Sequence, residues 1–185
     1  MSRKSTTEPL CYRVGNTDRE LVVCPAVLQH FLKHQQKSFS ATEVGGQLFA
    51  EFQQRRICLS VATGPTSEDK RGRFWFVPNQ KRQNAEIQNL FKRGLHFVGD
   101  WHTHPEATPS PSSTDLNSMQ DCFKKSRHQL KSFVMIIVGQ AEFPDGLWVS
   151  LHTEKRSQRL EPVPATGITC CNVHNPLHLS LEYPK

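Results

Sequence analysis

Apolar positions along the chain fall into short runs of two periods. Leu21 to Cys24 predicts a brief strand, and Pro25 then suits the first turn of a helix. Val27, Leu28, Phe31 and Leu32 recur at helical spacing, giving that helix one apolar face out to about Lys37. Gln47 to Phe52 and Arg56 to Ala62 read as two strands of a hairpin. Gly64 to Arg73 is polar and turn-rich, a loop, and Phe74 to Val77 predicts a short strand with core-facing Phe side chains. A helix is predicted from Gln80 to Arg93, with Ile87, Leu90 and Phe91 inward and Gly94 as its stop. Leu95 to His102 predicts a strand, followed by a stiff loop with prolines at 105, 109 and 111. A further helix starts near Ser112 or Ser113, with Leu116, Met119, Cys122 and Phe123 on one side. Ser132 to Val138 ends in six consecutive apolar residues and predicts a buried strand, and Gly146 to Thr153 predicts another.

Strands and helices interleave, so the expected class is α/β (α+β), a mixed β-sheet flanked by helices in a single domain. The domain is expected over residues 20–160. Residues 1–19 are polar and read as a loose N-terminal arm, and a shift to Pro, Thr, His and Leu marks 161–185 as a C-terminal tail. A length of 185 residues suits one such unit.

No apolar run approaches the roughly 20 residues of a membrane helix, and the first nine residues lack the apolar stretch of a signal peptide. The expected location is cytoplasmic, with no membrane partner. The six cysteines form no C-x-x-C pair and read as reduced thiols. Cys170, Cys171, His174 and His178 in the tail lack the held, regular spacing of a zinc site.

The net charge of +6 is concentrated. Residues 53–93 hold nine basic residues against Glu68, Asp69 and Glu86, and the rest of the chain balances at 14 against 14. Such a stretch can dock an acidic protein face. No nucleic-acid motif accompanies it, so nucleic acid is not the expected partner.

Chemistry concentrates between Gly99 and Asp115. His102 and His104 are two apart at a strand end, so both imidazoles point to one face. The proline loop would return the next helix, with Asp115 in its first turn, against that strand end. Two His and one carboxylate make a three-ligand zinc site with a position left for water. The water needs a base that does not ligate the metal. Glu106 leads away into the loop, whereas Glu43 precedes Gly45 and Gly46, where bare backbone allows close approach, so Glu43 is preferred. Ser112 could donate to an oxyanion. Ser112 and Asp115 are also spaced as a helix capping box, but a cap does not account for the His-x-His-Pro before it. His30 and His34 have zincin spacing, yet Phe31 stands where that motif needs Glu. Deaminase, phosphate-loop and serine-elbow motifs are missing.

His102, His104, Ser112 and Asp115, with Glu43 upstream, resemble the JAMM motif of MPN-domain metalloproteases without departure at any position. The resemblance implies the JAMM/MPN fold over about residues 20–155. It implies zinc held by His102, His104 and Asp115, with Glu43 activating water and Ser112 assisting. Glu43 to Leu48 is similar to the E-x-G-G-x-L form of prokaryotic members, most like the CD-NTase-associated peptidases of bacterial anti-phage CBASS operons. That implies an isopeptidase releasing a CD-NTase C-terminus, an extended tail, from its target, alongside operon E1-like and E2-like proteins. A JAMM protease trimming a ubiquitin-like or sulfur-carrier protein is the alternative. A non-catalytic scaffold and a nucleic-acid binder of the same fold are weaker rivals. The substrate tail would pair with a strand edge near residues 47–52 or 74–77.

Overall fold

The computed structural model describes residues 8–165. Cys170, Cys171, His174 and His178 lie outside them. Strands β1 (Leu10–Arg13) and β2 (Glu20–Val23) form an antiparallel hairpin whose turn includes Gly15 at φ 57°. Helix α1 (Pro25–His34) has proline in its first turn and buries Val27, Leu28 and Phe31. It stops short of Lys37 because Gln35 turns extended and the buried Gln35 and Gln36 bond to other loops.

Strands β3 (Gly45–Phe52) and β4 (Arg56–Ala62) pair as the expected hairpin. Strands β5 (Lys70–Arg71) and β6 (Phe76–Val77) form a separate small hairpin inside the charged stretch. Helix α2 (Gln80–Phe91) starts at Asn79, whose side chain accepts the Arg82 N–H. Gly94 follows it at φ 79°, a conformation that favours glycine. Then come β7 (His96–Thr103), α3 (Ser113–Lys125), β8 (Phe133–Val138), β9 (Leu147–His152), β10 (Ser157–Arg159) and β11 (Pro162–Val163).

Among the described residues nine strands build one mixed sheet in the order β10-β9-β8-β7-β3-β4-β2-β1-β11. The β2–β4 and β7–β8 pairs are parallel and the others antiparallel. Alternation divides β8 between two cores. Val134, Ile136 and Val138 join Phe31, Leu48 and Trp101 on the α1 face. Phe133, Met135 and Ile137 join Met119 of α3 on the other. Phe97 links that second core to Phe49 and Leu90 of α2.

Several expectations change. The stretch read as a loose arm contributes β1, with Cys11 and Tyr12 buried, and β1 also pairs with β11 at the start of the expected tail. Phe74 and Trp75 do not face the core. They are 70% and 52% exposed, because Gly72 N–H bonds Trp75 O and turns the chain out before β6 begins. β3 lies between β7 and β4 and offers no free edge to a substrate along residues 47–52. Cys122 is a free thiol, but Cys58 is disulfide-bonded, so the reading of six reduced thiols does not hold there. No helix of the described residues is long and apolar enough to cross a membrane.

Buried His152 and half-buried His30 should make stability fall in mild acid. Burial pushes His152 down from 6.5 to about 4, and its Nε2 lies 2.8 Å from Ser150 Oγ. His30 is also lowered to about 4, by burial first and then by His34. Both titrate near 6.5 when unfolded, so the unfolded chain binds more protons between 6.5 and 4. Their contribution is full above about pH 6.5 and is lost as the pH falls towards about 4. A urea midpoint that stays level across that window would refute this.

Candidate active site

His102 sits near the end of β7, at the centre of the sheet between β3 and β8. His104 lies one residue beyond the strand, yet its N–H donates to Val138 O at 3.0 Å and so continues the ladder. Both imidazoles therefore share a face, with their Nε2 atoms 3.2 Å apart.

The loop after His104 is lashed down. Gln140 N–H donates to Glu106 O at 2.8 Å, and Ala141 N–H to Ala107 O at 3.0 Å. Gln35 Nε2 in turn donates to Gly139 O at 2.6 Å, tying the end of α1 to the same corner. The loop delivers Ser112 as the N-cap of α3. Its Oγ donates to Asp115 Oδ2 at 2.7 Å and accepts the Asp115 N–H, while its own N–H donates to Oδ2 at 2.7 Å. This capping box holds the Asp115 carboxylate against both rings. Oδ1 is 3.4 Å from His102 Nε2, and Oδ2 is 3.5 Å from His104 Nε2.

Glu43 arrives from the other side. Gly45 is in register with His102, and Thr103 N–H donates to Val44 O at 2.8 Å, which places Glu43 level with His104. Its N–H also donates to Gly72 O at 2.7 Å. This close approach requires glycine. A Cβ on Gly45 would lie 2.5 Å from Trp101 O, and one on Gly46 would lie 1.9 Å from Thr63 O. Glu43 is only 7% exposed, and it offers a carboxylate oxygen within 4.8 Å of donor atoms of both His102 and His104.

Electrostatics follow from this crowding. Burial raises the Glu43 carboxyl, opposed by the two imidazoles. For Asp115 burial also acts upward, but hydrogen bonds from His102 and His104 outweigh it and hold the carboxyl well below the usual range. His104 is raised, because the bond to Asp115 overcomes burial.

The arrangement fits a metal ion. A tetrahedral divalent ion with bonds of about 2.0–2.1 Å has donor–donor edges of about 3.3–3.4 Å. The two Nε2 atoms are 3.2 Å apart, close to such an edge, and the Asp115 carboxylate straddles them with one oxygen near each ring, at 3.4 and 3.5 Å. Glu106 stands elsewhere. Its carboxylate accepts the Ser110 N–H and lies 4.0 Å from His104 Nδ1, on the side away from the converging Nε2 atoms.

The site opens into a cleft of about 870 Å³ whose lining includes Trp75, Phe76, Met119 and Asp100. Burial pushes the Asp100 carboxyl up to about 7. Sequence reading passed over Asp100, although strand alternation from His102 could have found it. His30 and His34 lie apart from this site and pack against Trp101 at ring distances of 5.1 and 5.9 Å.

Comparison with known proteins agrees with this fold. The family model for prokaryotic homologs of the JAB domain matches residues 25–156. A protein of Escherichia coli named CD-NTase/cGAS isopeptidase is 23% identical over 151 residues, 80% of this chain and 92% of its own length. One of the same name from Pseudomonas aeruginosa is 31% identical over 115 residues, 60% of this chain and 73% of its own length. The probable metalloprotease y4qB of Sinorhizobium fredii is 29% identical over 109 residues, 56% of this chain and 66% of its own length. The solution structure of protein DSY2949 from Desulfitobacterium hafniense shares the fold at a TM-score of 0.54. It is 16% identical, over 74% of this chain and 87% of that one. With a family match spanning most of the described residues, this chain belongs to the prokaryotic homologs of the JAB domain.

Proposed function

We propose that the chain is a zinc-dependent JAMM isopeptidase that releases a CD-NTase C-terminus from its conjugated target in bacterial anti-phage defence. The observation that carries this is the clustering of His102 and His104 with the Asp115 carboxylate and the buried Glu43. The relatives named CD-NTase/cGAS isopeptidase support the substrate class. The enzyme would act in the cytoplasm with E1-like and E2-like operon partners.

His102, His104 and Asp115 would hold the ion. Bound zinc supplies Lewis acidity towards a scissile carbonyl and lowers the pKa of water. Glu43 takes the proton of the attacking water and passes it to the departing amine. Ser112 keeps Asp115 in place through its own N–H and by accepting the Asp115 N–H, and its hydroxyl would turn from Asp115 Oδ2 to donate to the developing oxyanion.

The substrate tail would enter as an extended strand beside β6. Among the described residues β6 pairs only with β5, and Phe76 lines the cleft. Arg71 and Arg73 in the basic stretch would meet an acidic face of the substrate. Reversing both charges should raise KM several-fold with little change in kcat, since rim charges act on encounter. An unchanged KM in steady-state assays would remove them from substrate binding.

The deciding assay fuses the cognate nucleotidyltransferase through its C-terminus to a folded reporter. Wild type should cut at the junction, and chelator or Glu43→Ala should stop it. Cutting that persists in excess chelator would overturn the metalloenzyme reading. No cutting by protein holding one zinc per chain would move the substrate to another ubiquitin-like tail.

A further inference from the structure

The cleft is acidic in a basic protein. The chain carries +6, yet among the described residues the cleft lining contains Glu43, Asp100, Glu106 and Asp115 and no Lys or Arg. Three of these acids are occupied. Glu43 and Asp115 face the His pair, and Glu106 accepts the Ser110 N–H. Asp100 is different. It stands two residues before His102 on β7, so its side chain shares the face of His102. It lines the cleft beside Met119, Cys122 and Met135, which give it an apolar wall. Among the described residues no cation and no hydrogen-bond donor reaches its carboxyl.

A second observation lies on the neighbouring strand. Gln47 of β3 is in register with Asp100 and shares its face of the sheet. Gln47 is 3% exposed, and its Oε1 is buried without a partner. The Asp100 carboxylate and the Gln47 amide oxygen thus lie on paired strands, and the buried Gln47 oxygen has no donor. Such groups cost free energy until a donor arrives, and a substrate in the cleft can bring one to Asp100, which lines it.

We propose that Asp100, backed by Gln47, is a subsite for a cationic side chain, lysine or arginine, next to the scissile bond of the substrate. The assignment rests on the isopeptidase reading for the word substrate, but the subsite can be tested without turnover. n-Butylammonium is titrated into the zinc-loaded full chain while side-chain NMR signals of Gln47, Met119 and Met135 are followed. It should shift them in wild type. Uncharged n-butanol should not, and Asp100→Asn should abolish the response. No shift from n-butylammonium, or an equal shift in Asp100→Asn, would overturn the subsite.

Turnover provides the second arm. Junction substrates carrying lysine in place of norleucine beside the cleaved bond should gain about ten- to a hundredfold in kcat/KM. Asp100→Asn should bring that ratio close to one, and Asp100→Lys should turn the preference towards glutamate. Equal rates on lysine and norleucine in wild type would count against the proposal. If wild type cuts none of the junction substrates, the CD-NTase junction is not the substrate and the NMR response alone decides the subsite.

Discussion

Glu43→Ala protein is expected to bind zinc at one ion per chain and to turn over about 10²–10⁴-fold more slowly than wild type. The loss is large because water activation and proton delivery to the amine would pass through one carboxylate. Zinc should stay because His102, His104 and Asp115 keep their mutual spacing without Glu43. His104→Ala is expected to lose both zinc and activity, since it removes one of the three donors. Metal analysis beside steady-state rates separates the two variants. Glu43→Ala that loses its zinc would make Glu43 a ligand, a role its position within 4.8 Å of the imidazole donors permits. Near-normal turnover with zinc retained would remove it from the chemistry.

Trp101→Ala is expected to lower the unfolding free energy by about 3–5 kcal/mol, a large share of a typical domain's total of about 5–15 kcal/mol. Trp101 is 1% exposed, its ring lies 5.1 Å from Phe31, and its Nε1 donates to Thr63 O at 2.9 Å. That hydrogen bond draws the segment after β4 across Gly46, in the strand that carries Glu43 to the site. Trp101→Phe keeps most of the volume and loses the hydrogen bond, at a cost of about 1 kcal/mol. Urea titration gives both values. A Trp101→Ala protein as stable as Trp101→Phe would contradict this packing account.

The site was unusually legible because most of it is local. His102, His104, Ser112 and Asp115 occupy one short segment, so strand alternation and helix capping suffice to foresee their meeting. Glu43 required the register of β3 against β7, a long-range pairing. The two glycines after it indicated close approach but not the partner. The strand of six apolar residues was equally clear, since β8 is buried on both faces. β1 was not, because a run of four residues acquires its partners, β2 and β11, only through the fold. Phe74 and Trp75 misled for a related reason. Apolar composition marks a strand but does not say that its hairpin stands off the main sheet, with the Arg73 guanidinium 5.3 Å from the Phe74 ring centre.

The lashings from Gln35 through Gly139 and Ala107 to the segment after His104 bear on how the proposed ion would come and go. Small zinc modules collapse when stripped, because the ion is their tertiary structure. Here backbone amides, a helix cap and a sheet ladder already keep the donors at ligand spacing. On the proposed zinc reading, maturation would proceed in two separate stages, folding first and loading afterwards. A stripped chain should refill from dilute metal without passing through a denatured intermediate.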